Sequence, residues 1–147
     1  MKWDIVMKKR VLFVCTHNSA RSVMAEAFLK NMAGDRYEVE SAGLEPGILN
    51  PLVVEVMKEE GIDISDKKPQ SVFDLYKQGR RYHYVITVCD ASQSAKCPIF
   101  PSALETIHWS FPDPASFEGS QKEKLEQTRK VRDAIKSKIE DWIKDKK

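Results

Sequence analysis

The sequence predicts an α/β fold: a single domain on a four-stranded parallel sheet with helices on both faces. Three observations predict it. Short apolar or alternating runs at residues 11–14, 37–41, 84–88 and 106–109 read as strands. Segments with apolar residues at helical spacing fall between and after them. At 147 residues the chain has the length of one ordinary domain, so residues 1–147 are read as a single unit. Strands that alternate with helices run parallel, and such a sheet is covered on both sides.

Taken in order, no element is assigned to residues 1–7. Residues 11–14 are four apolar, partly β-branched residues and form the first strand. The first helix spans residues 19–33, with Met24, Ala25, Phe28, Leu29 and Met32 on one face and Gly34 as its C-cap. Residues 37–41 alternate and give the second strand. A Gly- and Pro-containing loop follows at residues 42–47. Asn50 then Pro51 opens the second helix, as cap and first helical residue, and Gly61 ends it. Residues 62–65 are short and extended, and residues 71–76 form a short helix. Residues 84–88 are the clearest strand after the first, and residues 106–109 form the fourth. The last helix covers residues 120–145, with Leu125, Val131, Ile135, Ile139, Trp142 and Ile143 on one stripe. Residues 144–147 are expected to fray.

Composition excludes several classes. Lys+Arg 24 against Asp+Glu 22 leaves a formal net charge of +2, too small to argue for nucleic acid or an anionic membrane. The apolar run after Arg10 is too short for a signal peptide or a membrane span, so a cytoplasmic location is expected. Three cysteines make no disulfide framework, and in a reducing compartment they are mostly free thiols.

The chemistry centres on Cys15-Thr16-His17-Asn18-Ser19-Ala20-Arg21-Ser22, between the first strand and the first helix. A loop of this kind turns backbone N–H groups inward, and the helix adds its own free N–H groups and positive dipole end. Together they form a cup for a tetrahedral oxyanion, which Arg21 clamps at two oxygens. A thiol at a helix N-terminus beside a fixed cation ionises readily, so Cys15 reads as a nucleophile with Ser22 adding a hydrogen bond. Asn18 suits a position of positive φ. A buried core thiol is the alternative reading of Cys15. In a parallel sheet, sites lie at the carboxyl ends of the strands. Cys15, Cys89 and Asp113 all fall at or just after such ends.

These residues, with the strand before them and Ser22-Val23-Met24-Ala25-Glu26 after, resemble the active-site loop of the low-molecular-weight tyrosine phosphatase superfamily. In particular they resemble the thioredoxin-coupled arsenate reductases built on that fold. The resemblance covers nearly the whole chain from Val11 and implies the low-molecular-weight phosphatase-like fold. It implies that Thr16, His17, Asn18, Ser19, Ala20, Arg21 and Ser22 bind the oxyanion. Asp113, in Phe111-Pro112-Asp113-Pro114, takes the general-acid role, although Pro-Asp-Pro alone also reads as a surface turn.

Cys89 and Cys97 separate the two branches. A phosphatase has no use for two further thiols, whereas reducing arsenate takes two electrons, which a pair of thiols delivers on forming a disulfide. The resemblance implies that Cys15 attacks arsenate, Cys89 attacks Cys15, and Cys97 passes the disulfide outward to thioredoxin. The segment between Cys89 and Cys97 is polar and expected to be mobile. Singly, a strand-end core residue and an incidental surface thiol remain the alternatives. Two further residues depart from the phosphatases: Ala115-Ser116-Phe117 stands where tyrosines usually follow Asp-Pro, and Ala20 stands where many carry a second cysteine.

Phosphate and sulfate are the expected analogues of arsenate. A phosphatase acting through a Cys15 phosphocysteine, or a non-catalytic oxyanion- or metal-binding protein, are the other functions to be separated. No cofactor is expected, and the chain is expected to act as a monomer. Cys89 and Cys97 lack the short spacing of zinc ligands, and His17, His83 and His108 form no paired helical motif, so no zinc site is expected. Some reductases of the resembled type bind potassium beside the loop. Asn18, Glu26 and Ser41 match three of the implied residues, but Gln70 stands where an aspartate is expected, so no potassium site is expected.

Overall fold

A computed structural model of the protein describes residues 8–146. The run at residues 11–14 becomes the centre of the molecule. Val11, Leu12, Phe13 and Val14 are all fully buried, because strand β1 (Lys9–Cys15) has helices against both its faces. Val11 and Phe13 point to one cluster with Met24, Phe28, Ile135 and Ile139. Leu12 and Val14 point to the other with Val72, Leu75, Tyr82 and Phe100.

The remaining strands are β2 (Tyr37–Gly43), β3 (Tyr84–Thr87) and β4 (Glu105–His108), all parallel, in the order β2-β1-β3-β4. β2 alternates Tyr37 and Val39 inward with Glu38 outward. The helices are α1 (Arg21–Ala33), α2 (Pro51–Lys58), α3 (Val72–Lys77), α4 (Ala91–Ser94) and α5 (Gln121–Asp145), with a 3-10 turn at Pro114–Ser116. The predicted architecture is the observed one.

The caps explain where the helices begin. Asn50 accepts from the Leu52 N–H at 2.9 Å with Pro51 at the first helical position. Ser71 accepts from Phe73 and Asp74. Ser120 and Glu123 form a reciprocal capping box on α5. Arg132 pins α5 to α2 by donating to the Val56 carbonyl at 2.9 Å and to Glu59 at 2.8 Å. Hydrogen bonds from Arg129 and then Arg132 hold the Glu59 carboxyl down to about 2.

Several local expectations change. α1 begins at Arg21 rather than residue 19, because residues 16–20 form the connection from β1. Gly34 caps α1 with an ordinary helical φ of −63°, not a left-handed one. A one-turn helix, α4, lies within the polar segment between Cys89 and Cys97. The expected fraying is not seen at Lys146, whose ammonium holds Glu105 of the edge strand at 2.9 Å. Lys147 and residues 1–7 lie outside the described residues. Among the described residues no helix is long and apolar enough to cross a membrane.

Candidate active site

The cup is built by the direction of four carbonyls. The carbonyls of Cys15, Thr16, His17 and Ser19 accept from the N–H groups of Leu44, Glu45, Gly47 and Asn50 at 2.8–3.1 Å. In a trans peptide the N–H points opposite to the C=O. Fixing these four carbonyls outward therefore turns the N–H groups of Thr16, His17, Asn18 and Ala20 inward. The Asn18 N–H makes that direction visible: it donates to Cys15 Sγ at 3.2 Å. The reversal needs one residue at positive φ, and Asn18 supplies it at +52°. Ala20 begins α1 with no side-chain cap, so the first helical N–H groups stay open toward the cup. Gly43, the last residue of β2, lies directly against this loop. A Cβ there would stand 2.7 Å from the Asn18 nitrogen and 2.8 Å from the His17 carbonyl carbon.

Polar groups under the loop set the direction of its hydrogen bonds. The Gln70 N–H donates to Asn18 Oδ1 at 3.0 Å, which fixes the carboxamide with Nδ2 toward two hydroxyls. Asn18 Nδ2 donates to Ser22 Oγ at 2.8 Å and to Ser41 Oγ at 2.9 Å. The Ser22 proton is left free for the Cys15 sulfur, 2.8 Å away. The Ser41 proton goes to Glu26 Oε1 at 2.5 Å. Cys15, Asn18, Ser22 and Ser41 are all buried.

The other predicted residues fall around this centre. Arg21 is 6% exposed; its Nη1 donates to the Phe111 carbonyl at 3.2 Å and its Nη2 lies 3.5 Å from Asp113 Oδ2. Its Nε is buried and has no partner among the described residues, so the guanidinium keeps a donor for a bound anion. Asp113 forms the turn that Pro-Asp-Pro suggests and also stands beside Arg21. Oδ1 accepts the Ala115 N–H at 3.0 Å and caps the 3-10 turn, while Oδ2 faces Arg21. His17 contributes backbone alone, since its ring turns out to the Glu45 carbonyl at 2.9 Å.

Cys89 is fully buried beyond the end of β3. Burial pushes its thiol up to about 11, Arg21 pulls it down, and Cys15 adds to the rise, so it lies within electrostatic reach of both. Cys97 is half-buried; burial and then the neighbouring Cys89 push its thiol up to about 11. All three are free thiols. The other oxyanion-loop residues, Thr16, Ser19 and Ala20, act through the main chain described above.

The residues matching a potassium site do come together, but they do not fit an ion. The Ser41 carbonyl accepts from Gln70 Nε2 at 2.9 Å and from Lys67 Nζ at 3.2 Å. Lys67 Nζ also lies 3.1 Å from Glu26 Oε1. Asn18 Oδ1 is taken by Gln70. Every acceptor a cation would use here already faces an N–H donor. Among the described residues no cluster of three or more His, Cys, Asp or Glu side chains forms a metal site.

Comparison with known proteins places this geometry. Residues 10–147 match the family described as low molecular weight phosphotyrosine protein phosphatase. The chain belongs to that family. Within it, the chain is similar to an arsenate reductase of Shouchella clausii, 43% identical over 134 residues that cover 90% of this chain and 93% of the relative. A solved arsenate reductase in a phosphate-binding state superposes with a TM-score of 0.79 at 31% identity, covering 93% of this chain and 98% of the other. A thioredoxin-dependent arsenate reductase of Corynebacterium glutamicum superposes with a TM-score of 0.61 at 31% identity, covering 90% of this chain and 62% of that one. For a member of this phosphatase family, the residues that sequence reading misses are Gly43 and Lys67. Gly43 reads as part of a turn, and Lys67 sits in an unpatterned loop. Both act through contacts made only in the folded chain.

Proposed function

We propose that this chain reduces arsenate to arsenite, with Cys15 as nucleophile and thioredoxin as the reductant. The observation that carries the reading is a set of three free thiols, the first in an amide-lined loop at the end of β1 and the second buried just past the end of the neighbouring strand β3. The Cys15 sulfur attacks arsenic, an S–As bond forms, and the displaced oxygen leaves as water with a proton from Asp113. Cys89 then attacks the Cys15 sulfur. The S–As bonding pair stays on arsenic, which falls from As(V) to As(III) and leaves as arsenite, while the two sulfurs become a disulfide. Cys97 attacks Cys89, freeing Cys15 and passing the disulfide to Cys89 and Cys97. A dithiol of the thioredoxin type reduces that disulfide. This cycle calls for a reducing compartment, the cytoplasm, and a monomer suffices for it.

Phosphatase activity on small aryl esters follows from the same loop, since phosphate and arsenate share shape and charge. The test is arsenate-dependent NADPH consumption with thioredoxin and its reductase. Cys15→Ser abolishes it together with aryl phosphate hydrolysis. Cys89→Ser and Cys97→Ser stop multiple turnover of arsenate and spare aryl phosphate hydrolysis. A Cys89→Ser protein that turns arsenate over like the parent sinks the relay.

A further inference from the structure

We propose that Lys67 is a tethered cation for the loop: its ammonium takes the position beneath Ser41 and Glu26 where a free monovalent ion would otherwise sit, and through them it positions Asn18 and Ser22 against Cys15. The proposal rests on Cys15 being the nucleophile and is independent of arsenate being the substrate.

Lys67 stands on the loop before α3, far in sequence from the groups its ammonium touches. Its side chain is 15% exposed, unusually covered for a lysine, which is seldom buried unless paired. The ammonium contacts Glu26 Oε1 at 3.1 Å and donates to the Ser41 carbonyl at 3.2 Å. Glu26 is itself only 10% exposed, and its Oε1 also receives the Ser41 hydroxyl proton. That hydroxyl can accept from Asn18 because its own proton is directed to a carboxylate. The same Asn18 group donates to Ser22, which faces the sulfur. The positive charge therefore stands at one end of a hydrogen-bond chain whose other end is the nucleophile.

Lys30 shows what is specific to Lys67. It meets the other oxygen of Glu26 at 2.9 Å, but from the surface, 55% exposed and four residues along the same helix. It neutralises the carboxylate without touching Ser41. A cavity of about 480 Å³, lined in part by Val23, Glu26, Ile62 and Lys67, opens beside the pair and gives a small cation a way in once the lysine is shortened.

The experiment compares the parent with Lys67→Ala, Lys67→Arg and Lys30→Ala. Each is assayed by iodoacetamide alkylation of Cys15 at neutral pH and by aryl phosphate hydrolysis, in potassium, ammonium or tetramethylammonium chloride at equal ionic strength. The parent is expected to be indifferent to the choice of salt. Lys67→Ala is expected to lose about tenfold in both readouts in tetramethylammonium, the size that supporting partners of a reactive centre carry. Potassium or ammonium restores most of the loss. Lys67→Arg and Lys30→Ala keep the parent's rates.

Four results overturn the proposal: a parent stimulated by potassium, a Lys67→Ala protein with unchanged rates, a loss that no small cation restores, or a Lys30→Ala loss equal to that of Lys67→Ala. Failure of the arsenate assay alone bears on the proposed function and leaves this comparison intact.

Discussion

The loop at residues 15–22 and the segment at residues 89–97 carry the same reactive atom under opposite conditions. In the loop, four carbonyls are tied outward, Asn18 uses both ends of its side chain, and the Cys15 sulfur meets two donors. In the segment, α4 is a single turn with no buried residue, and among the described residues the one hydrogen bond of Cys97 Sγ goes to the neighbouring Pro98 carbonyl, at 3.5 Å. Burial, not solvation by donors, governs both of its thiols and holds them protonated. The difference teaches that the two halves of the chemistry are prepared in different ways. In the proposed relay, the first thiol already meets its loop donors in the resting fold. Burial keeps the other two protonated, and opening a weakly held turn is the change the relay would call on.

The largest expected effect tests the loop side without disturbing its shape. Asp113→Asn keeps the cap on the Ala115 N–H but removes the transferable proton. Chemistry is expected to fall by about 10²–10⁴-fold. Protection of Cys15 from alkylation by phosphate is expected to persist, because no amide of the loop has moved. Loss of that protection would mean that Asp113 holds the loop together and does not serve as an acid.

The segment side is sharpened by pH. In a Cys15→Ser background, alkylation of Cys89 and Cys97 is expected to rise with pH up to about 11. Mild denaturant that opens α4 should move the profile down toward the ordinary thiol value of roughly 8.5. The same thiols affect stability. The folded chain holds their protons more tightly than the unfolded chain does, so their contribution is complete below pH 9 and is lost as pH rises toward about 11. Thermal unfolding from pH 8 to 11 is expected to show a shallower decline for a Cys89→Ala/Cys97→Ala protein than for the parent.

A smaller effect is expected at Gly43. Its added Cβ has no room against the loop backbone, and relieving such a clash costs about 1–3 kcal/mol. Gly43→Ala is expected to weaken phosphate protection of Cys15 by about ten- to a hundredfold while leaving the alkylation profile of Cys89 and Cys97 unchanged. Equal changes at both places would erase the distinction between the two regions.

The contrast also explains what could be read from the chain. The strand at residues 11–14, the stripes of α1 and α5, and the Asn50-Pro51 helix start are local patterns and survive folding unchanged. Cys15, Asn18 and Arg21 were legible because a strand-loop-helix turn is itself local, and Asn18 takes the positive φ its residue type allows. Asp113 was legible only as two alternatives; the fold forms the turn and sets its free carboxylate oxygen beside Arg21, where the proposed acid role needs it. α4 was not legible, since Ala91-Ser92-Gln93-Ser94 has no apolar stripe and only Asp90 marks its start. Gly43 and Lys67 owe their importance to segments about 26 residues away in each case (Gly43 to residues 16–18, Lys67 to Ser41), and no period or spacing encodes such a meeting.

Asp90 gives the finest discrimination. Its carboxylate accepts the Gln93 N–H at 3.1 Å and the Ser92 hydroxyl at 3.1 Å, so it both starts α4 and closes the turn immediately after Cys89. Asp90→Ala removes a cap worth about 1 kcal/mol. Because α4 buries nothing, that loss falls on opening of the segment and little on global stability. Burial is the main force keeping Cys89 and Cys97 protonated, so easier opening should raise their alkylation rate by about fivefold, the Boltzmann factor for 1 kcal/mol. Aryl phosphate hydrolysis, which in the proposed scheme needs neither Cys89 nor Cys97, should not change. A slower thiol reaction in Asp90→Ala would show instead that the capped turn holds Cys89 in its attacking position, and the segment would then be as prepared as the loop.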